Sequence, residues 1–343
     1  MLKKLKKIFD NKVILITGGT GSFGKSFIKF TLKNFKVRKI VVFSRDELKQ
    51  YEMQNHKDFK SNKLRFLIGD VRELDRLKLA MRGVNLVVHA AALKQVPTAE
   101  YNPFEVVKTN VIGAQNIIEA AYNNNVDKVV ALSTDKAASP INLYGATKLT
   151  SDKLFVSANN YRGNFRTRFS VVRYGNVMNS RGSVLPLFIS QSNEKKLFTI
   201  THKDMTRFNI TLLEGVAFVC QSFGRMLGGE IFVPKIPSFR IIDLAKAIND
   251  KIKIKFIGIR PGEKIHEEMI TATDSYNTLE FEDYFVIYPL FNYTDWNIKK
   301  FLNFNKIKNY RAVKSGFIYS SDTNKKFLLV KDLKKILQKI KND

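Results

Sequence analysis

Short, mostly apolar runs recur through the first half of the chain. They lie at residues 12–17 (KVILIT), 39–43, 64–68, 85–89, 129–132 and 169–173, each ending in glycine, small or polar residues. Runs this short, rich in β-branched side chains and without polar alternation, suit strands covered on both faces. Between them lie helical stretches at 72–81, 103–124 and 142–160, and a helical pattern of Phe27, Phe30, Thr31 and Phe35. Strands and helices that alternate in this way over 12–177 predict an α/β fold with a doubly wound parallel (Rossmann) sheet. Its ligands are expected at the carboxyl ends of the strands.

Beyond residue 177 the alternation weakens. Ser180 to Ser183 reads as a loop, and residues 199–207 are polar. A helix at 212–226 and a strand at 230–233 return to the sheet. Arg260-Pro261-Gly262-Glu263-Lys264 reads as a turn that opens a helix running to about Met269, and 330–340 as an amphipathic basic helix. The expected division is a dinucleotide-binding domain over 1–177, to which 210–235 returns, and a smaller substrate-binding domain over 178–209 and 236–343.

Composition narrows this picture only a little. Hydrophobic residues make up 44% of the 343 positions, and the single cysteine, Cys220, fits a reducing cytoplasm. No apolar run approaches the roughly 20 residues of a membrane span, and the N-terminus lacks the apolar core of a cleavable signal. Leu2, Leu5, Ile8 and Phe9 form one side of a short basic turn there, too short for firm membrane binding. The net charge of +27 is large, but the lysines are scattered and no zinc-finger or RNA-binding aromatic motif accompanies them. Neither a nucleic-acid partner nor a metal is expected; phosphorylated substrates would be attracted.

The candidate chemistry begins where the first strand ends. Gly19, Gly21 and Gly24 satisfy G-x-G-x-x-G between a buried strand and a helix, the setting in which that spacing carries meaning. Such glycines allow a tight turn and close backbone approach, so a diphosphate can sit at the helix N-terminus. Gly18, Thr20, Gly21, Ser22, Phe23 and Gly24 are the candidate contacts. The second strand ends about 20 residues later, where dinucleotide folds read the adenosine ribose. Ser44 and Arg45 stand there, followed by Asp46, Glu47 and Lys49. A hydroxyl and a guanidinium at the tip suit a 2′-phosphate, so NADP is the expected cofactor. Asp70 and Val71 end the third strand, and Asp70 could accept from the adenine amine. Ala90 opens a run of small residues after His89 that leaves room for a cofactor, and Lys94 can reach its ribose or a substrate. Thr109 and Asn110 on the long helix, and Val177 after the sixth strand, complete the expected contacts.

Tyr144 and Lys148, four apart, share one face of a helix. An ammonium beside a phenol favours the phenolate, lowering a pKa that starts near ~10. Such a tyrosine can take the proton of an alcohol that is being oxidised. In isolation the spacing would read equally as a solvated tyrosine and a surface lysine; after a glycine loop of this kind it does not.

The segments LITGGTGSFGKSF, FLIGDVRELDRL, HAAALKQVPTAEYNP, LSTDKAASPINLYGATK, RYGNVMNSRGSVLPLF and FIGIRPGEK together resemble the extended short-chain dehydrogenase/reductase superfamily. More narrowly, they resemble the soluble inverting UDP-N-acetylglucosamine 4,6-dehydratases of pseudaminic acid synthesis, over residues 10–320. The most specific part is Thr134-Asp135-Lys136 upstream of the tyrosine. Epimerases of the superfamily usually lack the Asp-Lys pair, and configuration-retaining dehydratases usually carry Thr-Asp-Glu. The sequence departs from the resembled pattern at His202, where an aspartate is usual, and at Asn209, where an apolar or aromatic residue is common.

The resemblance implies that Tyr144 and Lys148 serve C4 oxidation, Lys136 removes the C5 proton and Asp135 protonates the leaving C6 hydroxyl. For that, the Lys136 pKa would have to fall from about 10.4 toward 7–8. The resemblance further implies a UDP-sugar contacted by Lys94, Asn176, Arg181, Thr199, Arg207, Arg260 and Glu263. It also implies a homodimer through the 103–124 and 142–160 helices, or a hexamer. A UDP-hexose 4-epimerase and a non-enzymatic dinucleotide-binding protein are the alternatives.

Overall fold

The computed structural model describes residues 2–178, 183–194, 197–290 and 296–342. The N-terminal stretch is a helix, α1 (Leu2–Phe9), whose Leu5 and Phe9 are buried. Phe9 stacks on Phe35 at 4.7 Å and meets Phe223 edge-on at 5.5 Å. Its apolar side is therefore core, not a membrane-facing stripe.

The alternation then runs as the apolar pattern predicts: β1 (Val13–Thr17), α2 (Ser22–Asn34), β2 (Lys39–Ser44), α3 (Glu47–Asn55), β3 (Leu64–Ile68), α4 (Leu74–Ala80) and β4 (Leu86–His89). Next come α5 (Val96–Tyr101) and then the expected long helix, built without a break from α6 (Pro103–Val107), a π-helical turn (Lys108–Ile112) and α7 (Gly113–Asn123). They are followed by β5 (Lys128–Thr134), a 3₁₀ turn (Asp135–Ala137), α8 (Leu143–Ala158) and β6 (Arg168–Tyr174). All residues of β1 and β4 are buried, which is why neither alternates.

The second half carries β7 (Asn176–Val177), α9 (Val184–Asn193), β8 (Phe198–Ile200), β9 (Thr206–Ile210), α10 (Leu212–Arg225), β10 (Ile231–Pro234), β11 (Ser238–Arg240), α11 (Ile241–Ile248), β12 (Ile254–Phe256) and β13 (Glu268–Ile270). It ends with β14 (Thr278–Glu280), β15 (Tyr284–Ile287), α12 (Ile298–Asn305), β16 (Arg311–Ala312), β17 (Tyr319–Ser320) and α13 (Val330–Asn342).

Ten strands of the described residues form one sheet, in the order β16-β14-β15-β10-β6-β5-β4-β1-β2-β3. From β3 to β10 every neighbour is parallel; β15, β14 and β16 then add antiparallel. Thr17 pairs with His89 on one side and Phe43 on the other, so the order in which strands are added reverses between β1 and β4 and opens a crevice at the strand ends. α10 packs on the sheet and β10 lies beside β6. Part of 236–343 behaves differently from the expected division: β14, β15 and β16 extend the main sheet. Leu279, Phe285 and Val286 join the same apolar core as Ile14 and Val87. A second core, with Leu185, Phe188, Phe198, Leu244 and Leu333, lies among α9, β8, α11 and α13.

The turn at 260–264 opens no helix. Gly262 has φ +73°, and three carbonyls that a helix would use are bonded by distant side chains. Asn142 Nδ2 donates to Gly262 O at 2.8 Å, Arg207 Nη2 to Lys264 O at 2.9 Å and Arg207 Nη1 to Ile265 O at 2.9 Å.

Candidate active site

A cleft of about 640 Å³ runs across the carboxyl ends of β2, β1, β4, β5 and β6. At one end the loop after β1 turns into α2, with Gly21 as N-cap and no side chain capping the helix. A Cβ on Gly24 would lie 2.4 Å from the Gly19 carbonyl oxygen, so only glycine lets helix and loop come this close. Gly18, Thr20, Gly21, Ser22, Phe23 and Gly24 all line the cleft. Arg45 and Lys49 line it at the tip of β2, while the Asp46 carboxylate caps α3 by accepting from Lys49 N at 2.9 Å. Asp70 is held by Arg72 at 2.7 Å and lies 3.7 Å from Arg45. Burial opposes ionisation there, but Arg72 outweighs it and holds the carboxyl below its usual range.

At the other end β5 runs into the 3₁₀ turn. Asp135 is 1% exposed; its Oδ1 accepts from Thr134 Oγ1 at 2.9 Å and from Lys136 Nζ at 3.1 Å. Lys136 Nζ also meets Glu267 Oε1 at 2.9 Å, and Arg207 Nε lies 3.8 Å from that same oxygen. Burial alone would favour a neutral amine, but Asp135 and Glu267 together hold Lys136 above its ordinary pKa. The fall expected of a base is therefore reversed, because a second carboxylate arrives from beyond the motif. The two carboxyls diverge. Burial, reinforced by Glu267 and opposed by Lys136, raises Asp135. For Glu267, burial is outweighed by Lys136 and Arg207, and the carboxyl stays below its usual range.

Asn142 caps α8 by accepting from Gly145 N at 2.8 Å, which fixes the turn that carries Tyr144. Burial pushes the Tyr144 phenol up to about 12, with Lys136 and the Thr134 hydroxyl pulling the other way. The expected action of Lys148 on that phenol is not what the geometry gives: Lys148 Nζ donates to Leu132 O at 2.7 Å. Burial lowers the Lys148 pKa, and Asp152 opposes it. Beneath them Arg173 bridges Asp152 and Asp274, each at 3.2 Å.

The family model described as "Polysaccharide biosynthesis protein" matches residues 14–289. The chain belongs to this polysaccharide biosynthesis family. It is 54% identical over 333 residues to a Campylobacter jejuni protein named UDP-N-acetylglucosamine 4,6-dehydratase (inverting), covering 96% of this chain and 98% of that one. It is 45% identical over 287 residues to a Rickettsia rickettsii protein named UDP-glucose 4-epimerase, covering 82% and 84%. Among solved structures it is similar to the X-ray structure of Pen from Bacillus thuringiensis, with 38% identity, a TM-score of 0.86, and coverage of 96% and 99%.

In this family member Ser44, Val71, Ala90, Lys94, Thr109, Asn176 and Val177 also line the cleft, with Asp135, Lys136, Tyr144 and Lys148. Thr109 Oγ1 and Asn176 Oδ1 are buried there without hydrogen-bond partners among the described residues. Burial, reinforced by Lys136, lowers the Lys94 pKa. Several expected contacts lie off the cleft. Glu47 opens α3, away from the cleft wall. Asn110 is consumed in structure: its amide bridges Leu93 N and O, both at 2.9 Å, and so holds the loop bearing Lys94. Thr199 sits in β8, accepting from Gln191 at 2.8 Å. Arg207 is buried and spends its guanidinium on the carbonyls of 264 and 265. Glu263 caps the turn at Arg260 N, and neither residue reaches the cleft wall. Arg181 lies outside the described residues. Of the two departures, His202 accepts from Asp204 N in a turn at 3.2 Å, and buried Asn209 pairs in register with Asn176. Glu267 was not foreseen; it stands in the polar stretch KIHEEM, which carries no spacing signal.

Proposed function

We propose that the protein is an inverting UDP-N-acetylglucosamine 4,6-dehydratase working with NADP, forming a UDP-2-acetamido-2,6-dideoxy-hexos-4-ulose. The single observation that carries this reading is Asp135, Lys136 and Tyr144 converging on one cleft beside a glycine-lined helix N-terminus. The name of the Campylobacter relative supports it.

The cleft fits a dinucleotide in three ways: the Gly24 approach that a Cβ would block, the uncapped α2 N-terminus, and the orphaned Thr109 hydroxyl. Arg45 at the β2 tip, with Asp46 engaged both by the α3 cap and by the Lys49 ammonium, favours a 2′-phosphate over a bare ribose hydroxyl. When bound there, a nicotinamide dinucleotide would supply reversible hydride chemistry for oxidation at C4 and reduction at C6.

Tyr144 accepts the proton of the 4-hydroxyl; the nearby Lys136 charge offsets some of the cost of a buried phenolate. The resulting 4-ketone acidifies C5–H. Lys136 removes that proton while Asp135 delivers its own to the C6 hydroxyl, which leaves as water. Asp135 suits the acid role because burial, reinforced by Glu267, pushes its pKa up. Reprotonation of C5 on the opposite face completes the inversion. Lys148, bonded to Leu132 O, stiffens the helix turn that presents Tyr144. Lys94 and Asn176 reach the sugar from the cleft wall. Exposed Tyr101, Phe104 and Ile112 on the α5–α7 segment suit a homo-oligomeric contact, and a cytoplasmic location goes with this reading.

The test is incubation with UDP-N-acetylglucosamine in deuterated water, followed by NMR of the product. Loss of the C6 hydroxyl with solvent deuterium at C5 is expected. A 4-epimer that keeps its C6 hydroxyl and carries no deuterium would favour the epimerase reading instead, to which the Rickettsia relative's name points. Lys136→Ala should retain C4 oxidation, seen as reduced-cofactor absorbance, yet form no dehydrated product. Tyr144→Phe should show neither.

A further inference from the structure

A lysine wedged between two carboxylates is a poor base, yet the reaction above requires one. Three buried groups meet at this point: Asp135 at 1%, Glu267 at 2% and Lys136 at 24% side-chain exposure. Were all three ionised, the Asp135 carboxylate would be buried with only Lys136 to offset its charge, which is costly. The surroundings decide which carboxyl keeps a proton. Asp135 has one cation, Lys136, and the Thr134 hydroxyl, all on Oδ1; its Oδ2 is buried without a partner. Glu267 faces three cations: Lys136 at 2.9 Å, Arg207 at 3.8 Å and Lys264. Lys94 and Tyr144 face Lys136 from the far side of the cleft. Asp135 is therefore the carboxyl more inclined to keep a proton, and Glu267 the one more inclined to ionise beside Lys136.

On the functional reading above, we propose that Glu267 is a positioning residue that acts through Lys136, accepting its proton across their hydrogen bond so that a neutral amine faces C5. The transfer breaks one Nζ–H bond and forms one O–H bond on Glu267. It turns an ion pair into two neutral groups, so no charge separates inside the cleft. The amine then takes the C5 proton as Asp135 gives its own to the departing hydroxyl; one water leaves and the protons balance. Afterwards Asp135 is ionised beside Lys136, now an ammonium, and C5 takes its new proton from the opposite face. The placement of Glu267 makes this possible. It sits just before β13, its backbone N–H held by Ser321 Oγ at 2.9 Å, in a segment far in sequence from the Thr-Asp-Lys triplet.

Glu267→Gln removes both the negative charge and the proton acceptor at nearly constant shape. Asp135 should then ionise to pair with Lys136, and acid and base are lost together. With UDP-N-acetylglucosamine in deuterated water, Glu267→Gln should still build up reduced-cofactor absorbance in a single turnover. C5 deuterium incorporation and product formation should fall at least a hundredfold. Glu267→Asp, which keeps a carboxylate, should recover at least tenfold of that exchange. Retained C5 exchange in Glu267→Gln overturns the inference. Loss of C4 oxidation alongside exchange also overturns it, because Glu267 would then serve folding alone, and so does a Glu267→Asp variant no better than the glutamine. Wild-type protein run in parallel separates the two levels. If it forms no deuterated, dehydrated product, the functional reading fails; if it does while the glutamine variant still exchanges, only this inference fails.

Discussion

Gly145→Ala sets helix propensity against packing at the centre of the site. Gly145 follows Tyr144 in the first turn of α8, and alanine there should favour the helix by about 1 kcal/mol. The added Cβ, however, would lie 2.2 Å from the Lys136 carbonyl oxygen and 3.0 Å from Pro140 Cβ. Even close C–H···O contacts hold carbon and oxygen roughly 3.3 Å apart, so helix and 3₁₀ turn must separate by about 1 Å. Overpacking of this kind costs about 1–3 kcal/mol, which offsets or exceeds the propensity gain. The Asn142 cap also weakens, since it accepts from the amide of Gly145 itself. The expected stability change is thus a small loss. Catalysis should suffer far more, because Tyr144 and Lys136 sit on the two pieces being pushed apart. A misplacement of about 1 Å can cost about a hundredfold in rate. Thermal unfolding and NMR-monitored turnover of UDP-N-acetylglucosamine measure the two effects separately. A variant that melts higher than wild type and turns over within threefold of it would refute the packing argument.

Arg45→Asp should lower NADP affinity relative to NAD at least tenfold in calorimetric titration; an unchanged ratio would remove the 2′-phosphate assignment. His89 is fully buried, bonded to Thr17 Oγ1 at 2.9 Å, and burial pushes its pKa down to about 3. Because that lies below the unfolded value of ~6.5, the unfolded chain binds the proton first as pH falls. Stability should therefore drop by about 1.4 kcal/mol per pH unit between about 6.5 and 3. His89→Gln should remove that share of the slope in denaturant titrations, and equal slopes would disprove it. Light scattering at micromolar concentration should give an oligomer, and a strictly monomeric mass would leave the exposed Tyr101 and Phe104 patch unexplained.

The strands were legible because burial on both faces leaves a plain mark: a short β-branched run with nothing polar to interrupt it. The observed limits of β3 match that reading residue for residue, and β1, β2 and β4 differ by one position. The glycine turn was legible because its geometry tolerates few other residues. Where the reading failed, the deciding contacts are remote in sequence. Nothing local announces the π turn at Lys108–Ile112, which places Asn110 to bond Thr147, 37 residues away. The 260–264 turn looks like a helix start until Asn142 and Arg207 take its carbonyls. The pKa of Lys136 was misjudged for the same reason: the motif supplies one carboxylate, and tertiary structure supplies the other.

That second carboxylate also gives the C-terminal segment a role in the chemistry. Arg173, at the end of β6, is 2% exposed and bonds Asp152 on α8, Asp274 and the Met269 carbonyl. Asp152 in turn accepts from Ser133 at 2.8 Å, just before the catalytic turn. One buried guanidinium thus joins the helix carrying Tyr144 and Lys148, the strand leading to Asp135, and the segment that places Glu267. Removing a partner from such a buried pair typically costs about 3–5 kcal/mol, so the arrangement resists relaxation. The glycine loop, the β2 tip and Tyr144 all belong to the first half of the chain. That half does not contain the group that sets the charge of Lys136, which arrives with β13 and is fixed against β17. On the proposed mechanism, oxidation at C4 would belong to the first half of the fold, and elimination across C5 and C6 would need both halves.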